Sequence, residues 1–218
     1  MNDAIALEVR DLGLIPYAEA LALQSDLVGR RRRGDIPDQL LLLQHPHVIT
    51  LGTGSSRAHV LADESRRREL GIDLVDVGRG GDVTYHGPGQ LVGYPILDLK
   101  PDRKDVHQYL RDLEAVLVHT LDGMGIRGEP VPDLTGVWVE GRKIAAIGVR
   151  ISSGWITSHG FALNVSNDLS YFDTIVPCGI QDVSVTSVSQ ELGRNVGVSE
   201  LVGGVTQAFS EVFGLSPS

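Results

Sequence analysis

Apolar positions recur three and four residues apart over residues 16–33, where Tyr17, Ala20, Leu21, Leu27 and Val28 share one face. That spacing predicts a helix. Pro16 suits its first turn, and Gly34 follows Arg30–Arg33 as a stop signal. Leu40–Leu43 and Val48–Leu51 are short unbroken apolar runs and read as buried strands. Asp73–Val77 alternates and reads as another. From Asp82 to Leu99 two extended stretches are broken by Gly87-Pro88-Gly89. The clearest helical stripe is Val106, Leu110, Leu113, Leu117 and Leu121 within residues 104–122, ended by Gly123 and Gly125. Val137–Glu140 and Lys143–Arg150 flank Gly141 as a hairpin, and Trp155–Val165 is a further strand region. Ser187 with Gln190 is a capping-box signature for a short helix. Ser199–Phe213 is a closing helix, weakened by Gly203-Gly204.

This order is not a regular strand–helix alternation. It predicts an α+β fold: a mixed β-sheet with helices packed on it, and no doubly wound nucleotide fold. With 218 residues and no repeat or linker, the expectation is a single domain over 1–218. The composition, 42% hydrophobic and 22% charged, excludes wholesale disorder. No apolar run is long enough for a membrane helix, and the start lacks the features of a signal peptide. A single cysteine makes no internal disulfide, which suits a reducing, cytoplasmic setting. The net charge of −9 argues against a nucleic-acid binder. The clusters Arg30–Arg33 and Arg66–Arg68 could dock an acidic protein. The blander reading of the first, favourable charge at a helix C-terminus, has more weight.

Four segments carry candidate chemistry. Cys178 sits in Pro177-Cys178-Gly179, a turn that exposes a thiol better than a mid-strand position. It is either a small buried hydrophobe or a nucleophile, and a nucleophile needs a base or cation beside it. Of the three lysines, Lys143 alone heads an apolar strand, Ile144-Ala145-Ala146-Ile147-Gly148-Val149. Burial would favour its neutral amine and so a base; otherwise it snorkels to water. Arg79-Gly80-Gly81-Asp82-Val83-Thr84-Tyr85-His86 is neither a Walker loop nor a dinucleotide fingerprint. Its glycines permit close approach of a ligand to the backbone, against the alternative of a turn-rich hairpin. His159-Gly160 interrupts a strand-like run, the mark of a bulge, a ligand contact or a structural histidine. No metal site is evident; His45 and His47 lack partners at ligand spacing.

Taken together, these segments resemble the lipoyl (octanoyl) transferases of lipoate biosynthesis. Arg79 to Tyr94 resembles the signature of that family, Arg142–Val149 its lysine strand, His159–Asn164 its His-Gly segment and Pro177–Ile180 its cysteine turn. The four stand in the family's order, and the resemblance covers about residues 40–195. It implies a biotin/lipoate protein ligase-like fold, with a smaller second sheet beside the main one. It implies transfer of an octanoyl or lipoyl group from octanoyl-acyl carrier protein to a lysine of a lipoyl domain, without cofactor or metal. The acceptors would be lipoyl domains of 2-oxoacid dehydrogenase complexes and the glycine cleavage H protein. Cys178 would carry the acyl group as a thioester and Lys143 would be its base. Arg79 to His86, Ala146-Ile147-Gly148 and His159-Gly160-Phe161 would line the acyl slot and the reacting carbonyl. His86 would orient the carbonyl, a water or Lys143, and backbone N–H groups would stabilise the oxyanion. A monomer is the default expectation. The rival readings are an ATP-dependent lipoate or biotin ligase of the same fold and a non-catalytic carrier-domain binding module. A weaker rival is a thioester hydrolase.

Overall fold

In the computed structural model, which describes residues 5–176 and 184–217, the chain opens with a strand that the hydrophobic pattern does not announce. This is β1 (Ile5–Leu14), followed by α1 (Tyr17–Arg33), β2 (Asp38–Gln44) and β3 (Val48–Leu51). Then come α2 (Glu64–Glu69), β4 (Asp73–Asp76), β5 (Val83–His86), β6 (Gln90–Ile96) and α3 (Val106–Gly123). The hairpin region holds β7 (Glu129–Val131), β8 (Leu134–Val139), β9 (Arg142–Ile151) and β10 (Thr157–Asn164). The chain closes with α4 (Val188–Leu192), α5 (Ser199–Phe213) and β11 (Leu215–Pro217). Glu8, Arg10 and Asp11 blur any alternation in β1; parallel pairing to β2, from Leu7–Asp38 onward, makes it a strand.

The strands form a mixed eight-stranded sheet in the order β11-β1-β2-β6-β10-β9-β8-β7 and a three-stranded sheet in the order β4-β3-β5. The unbroken apolar run of β2 has a simple cause. Leu40 and Leu42 face the core under α3 and α5, while Leu41 and Leu43 face the core under α1, so both sides of the strand are buried. A third, smaller core, with Ile49, Leu51, Val83 and Tyr85, belongs to the three-stranded sheet. Gly87-Pro88-Gly89 carries the chain from one sheet to the other, because β5 pairs with β3 whereas β6 pairs with β2 and β10.

The buried faces of two helices match the predicted stripes in part. In α1 the buried positions are Tyr17, Ala20, Gln24 and Leu27, and Pro16 stands at the N-cap rather than within the first turn. In α3 the buried face is Tyr109, Leu113, Val116, Leu117 and Leu121, with Glu114 and Thr120. Val106 remains 41% exposed. Apolar periodicity identified the helix but could not say which apolar residues face a cavity instead of the core. Trp155 lies in a turn before β10 at φ 62°, so the strand starts later than expected.

The arginine clusters are largely neutralised within the chain. Arg31 bonds Asp38 at 2.6 Å, Arg33 bonds Asp35 at 2.7 Å, and Arg66 and Arg68 pair with Glu69 and Glu64. Among the described residues, no helix is long and apolar enough to cross a membrane.

Candidate active site

The loop joining β4 to β5 is clamped from two sides. The Thr53 N–H donates to the Arg79 carbonyl at 2.9 Å, and the Gly80 N–H donates to the Val149 carbonyl of β9 at 2.8 Å. The clamp needs a bare β9 at this point: a Cβ on Gly148 would meet Arg79 Cδ and the Gly80 oxygen, each at 3.1 Å. The Arg79 side chain is buried. Its Nη2 donates to the carbonyl and the hydroxyl oxygen of Thr50 at 2.9 and 2.8 Å, and its Nη1 to the Gly80 carbonyl at 3.1 Å. The next residues lead into β5. Asp82 Oδ2 bonds His59 Nδ1 at 2.6 Å, and its Oδ1 accepts from the Val83 N–H at 2.7 Å.

Between this loop, α1 and the strands β6, β9 and β10 lies a small inner chamber of about 60 Å³. Arg79, Gly81 to Thr84, His86, Lys143, Ala146 to Gly148 and His159 to Phe161 all line it, joined by Tyr17, Tyr94 and Ala162. The segments around Arg79–His86, Lys143–Gly148 and His159–Phe161 therefore converge, with two exceptions among their residues. Gly80 lines a neighbouring outer lobe of about 450 Å³. Tyr85 lines neither space: strand alternation turns its ring into the small-sheet core, where its hydroxyl bonds His47 Nδ1 at 2.7 Å. The two lobes share Gly81, Asp82, Lys143, Ile147 and Gly148, so they form one cleft wrapped around the edge of β9. Sequence reasoning missed Tyr17 and Tyr94, and the outer-lobe walls Val106, Leu110, Leu134, Thr135 and Trp138.

The inner wall is a set of rings held in fixed protonation states. The His45 Nδ1–H donates to the Ile15 carbonyl at 2.8 Å, and its Nε2 therefore accepts from the Tyr94 hydroxyl at 2.8 Å. His86 is set by a longer chain. Asn164 Nδ2 donates to the Thr186 carbonyl, so its Oδ1 accepts from Gln90 Nε2 at 3.0 Å. Gln90 Oε1 is then left to accept from His86 Nδ1–H at 2.8 Å. This makes His86 Nε2 an acceptor. As an acceptor it can receive a proton-bearing nitrogen or a water. Burial pushes the pKa of His86 down to about 3 and those of His45 and His159 to about 4, and it pushes Tyr17 up to about 12. All four are neutral near pH 7.

His159 is held at φ 54°, and its N–H donates to Gln24 Oε1 at 2.8 Å. Its Nδ1 is buried without a hydrogen-bond partner. A non-glycine residue in this backbone region inside a strand is a form of strain that gathers at functional sites.

Lys143, only 8% exposed, stands second in β9 at the junction of the two lobes. Its Nζ stands 5.0 Å from the Trp138 ring centroid. Gly136 opposite, at φ 134°, has to be glycine: a Cβ there would meet Lys143 Cε at 2.9 Å and the Ala145 oxygen at 2.5 Å. The Lys143 N–H donates to the Ser184 carbonyl and its carbonyl accepts from the Thr186 N–H. The Val176 N–H donates to the His59 carbonyl at 2.8 Å. The predicted nucleophile, Cys178, lies outside the described residues. Among the described residues, no group of three or more His, Cys, Asp or Glu side chains is arranged to hold a metal ion.

The family model for the lipoyl protein ligase A/B catalytic domain matches residues 16–210. The chain belongs to that family. Among its members, the octanoyltransferase of Rubrobacter xylanophilus is 55% identical over 211 residues, covering 96% of this chain and 95% of the relative. The octanoyltransferase of a Nostoc species is 50% identical over 206 residues, covering 93% and 90%. Among solved structures, the bi-partite lipoate protein ligase of Thermoplasma acidophilum superposes with a TM-score of 0.76 at 18% identity, over 99% of this chain and 86% of that one. Biotin protein ligase from Aquifex aeolicus superposes with a TM-score of 0.56 at 12% identity, over 95% and 70%. The fold is that of the biotin and lipoate protein ligases: a large mixed sheet with helices and a small second sheet.

Proposed function

We propose that this chain is an octanoyltransferase, moving an octanoyl group from a carrier-protein thioester to a lipoyl-domain lysine. The identity of half or more to octanoyltransferases over nearly the whole chain carries this reading. The convergence of Lys143, the Arg79–His86 loop and the His159–Phe161 segment on one cleft supports it. The reacting carbonyl sits at the junction beside Lys143, with the acyl chain directed toward the inner chamber. Each methylene buried there contributes about 0.8 kcal/mol.

Cys178 is the nucleophile in this reading. Lys143 takes the thiol proton, and the thiolate attacks the donor carbonyl. The bond from acyl carbon to donor sulfur breaks, the acyl–Cys178 thioester forms, and the departing carrier thiolate takes the proton back from Lys143. In the second step the lipoyl-domain amine attacks the thioester. Its surplus proton passes to Lys143, the amide forms, and Cys178 leaves as thiolate and is reprotonated. Splitting the transfer avoids assembling two carrier domains on one enzyme at once. The oxyanion is stabilised by backbone N–H groups other than that of Gly80, which is spent on Val149. The chain acts as one catalytic unit and as a monomer, and its acceptors are lipoyl domains of the 2-oxoacid dehydrogenase and glycine cleavage systems.

Intact mass after incubation with octanoyl-acyl carrier protein tests this. A gain of one octanoyl mass, removed by hydroxylamine and absent in Cys178→Ser, is expected without ATP. An ATP requirement, with no adduct, would replace the reading with a ligase.

A further inference from the structure

The outer lobe is left without a role when the inner chamber takes the acyl chain. Its volume, about 450 Å³, lies within the roughly 300–1,000 Å³ of small-molecule sites. Its walls include apolar side chains that no folding requirement explains. Val106 and Leu110 continue the stripe of Leu113, Leu117 and Leu121 into the first turns of α3, beyond the core that those three fill, and Val106 is among the exposed large hydrophobic residues. Local choices that disagree with core packing tend to mark binding sites.

The floor of the lobe is the edge of β9. β8 pairs with β9 only as far as Gly136–Ala146, and the next backbone bond on that side is Gly80 N–H to the Val149 carbonyl. In an antiparallel ladder the N–H and C=O of alternate residues point to the same side. The Ile147 carbonyl and the Val149 N–H therefore lie on an edge that no strand covers among the described residues. Both residues line the lobe, and Ala146 to Val149 are all half-buried in an otherwise buried sheet centre.

An uncovered strand edge recognises a chain that carries amides, by strand addition. An alkyl tail has none, and neither does a lysine side chain. The carrier-bound thioester donor does: its pantetheine-type arm carries two amides in line with the sulfur. We infer that the outer lobe binds this arm of the donor, with the β9 edge at Ile147 and Val149 hydrogen-bonding its amides and Val106 and Leu110 packing on its methylenes. The site rests on the acyl-transfer reading, because it continues directly from the junction where the thioester carbonyl would sit. The occupant is the arm of the carrier protein; coenzyme A presents the same arm.

The test is acyl-enzyme formation from octanoyl thioesters of pantetheine, N-acetylcysteamine and propanethiol, which carry two, one and no amides. With the unaltered protein kcat/KM is expected to fall about three- to tenfold per amide lost. Leu110→Trp, which fills the lobe, is expected to cut the pantetheine rate about tenfold and to erase the ranking, with the propyl thioester changed less than twofold. Val106→Trp, at an exposed position that tolerates bulk, is expected to do the same more weakly. Octanoyl-acyl carrier protein and octanoyl-coenzyme A are expected to be equally sensitive to Leu110→Trp. Equal loss with all three small donors would overturn the proposal. So would no ranking in the unaltered protein, a loss confined to the carrier protein, or a shift in preferred acyl length on filling the lobe. Failure of the unaltered protein to take octanoyl from any thioester would instead sink the transferase reading itself.

Discussion

The inner chamber and the outer lobe meet at Lys143 yet are built in opposite ways. The chamber wall includes rings whose orientation is held by other groups: Ile15 holds His45, His45 holds Tyr94, and the chain from Thr186 through Asn164 and Gln90 holds His86. The lobe is walled by half-exposed aliphatic side chains and a strand edge. An over-determined wall admits one shape, because moving one ring leaves a buried polar atom unpaired. An aliphatic wall adapts. A chamber that selects and a lobe that admits is the division of labour that the proposed two-step transfer calls for.

The sharpest break of this comparison is at the junction. Lys143→Met keeps the buried aliphatic stem and removes the amine. It should lower acyl-enzyme formation by about 10³-fold, within the usual range for a positioned base, with little change in Tm; intact-mass kinetics would read it. A loss under tenfold would detach Lys143 from the chemistry. Next is Gly136→Val, which places a branched side chain at φ 134° against Lys143 Cε and the Ala145 carbonyl. About 3 kcal/mol of stability and most of the activity should go together, measured by urea unfolding and turnover.

The ring wall carries its own signature in pH. Unfolded histidines bind protons below pH 6.5, whereas His45, His159 and His86 stay neutral until about pH 4 or 3. Unfolding therefore takes up protons across that window, and stability falls as pH drops through it. Each ring should cost about 2 kcal/mol between pH 6.5 and 5. A Tm that stays flat from pH 7 to 5 would mean the rings are already protonated or solvated. The smallest effect is expected at the basic clusters. Arg66 and Arg68 are exposed and paired with Glu69 and Glu64, contacts worth about 0–1 kcal/mol. Arg66→Glu should change the KM for carrier protein less than twofold; a large rise would restore that cluster as a docking surface.

Much of this was legible in the chain. Runs such as Leu40–Leu43 announce a strand buried on both faces, because period and burial are local consequences of residue type. Residue chemistry alone left the Arg79–His86 loop and Lys143 with alternatives, a turn-rich hairpin and a snorkelling side chain; the family resemblance singled them out as cleft residues. Tyr85 shows the limit: it lies within the right segment, but strand alternation points it away from the cleft.

By itself, the sequence determined most of the elements and the mixed α+β class, since turn chemistry and periodicity are properties of neighbours along the chain, and its resemblance to a known family marked the segments that meet at the cleft. Tertiary structure alone decided that β1 is a strand, that Val106 and Leu110 face a cavity, which nitrogen of His86 bears the proton, and that β9 outruns β8 at Ala146. Each of these depends on a partner far away in sequence, and a pairing between distant residues has no local pattern from which it can be read.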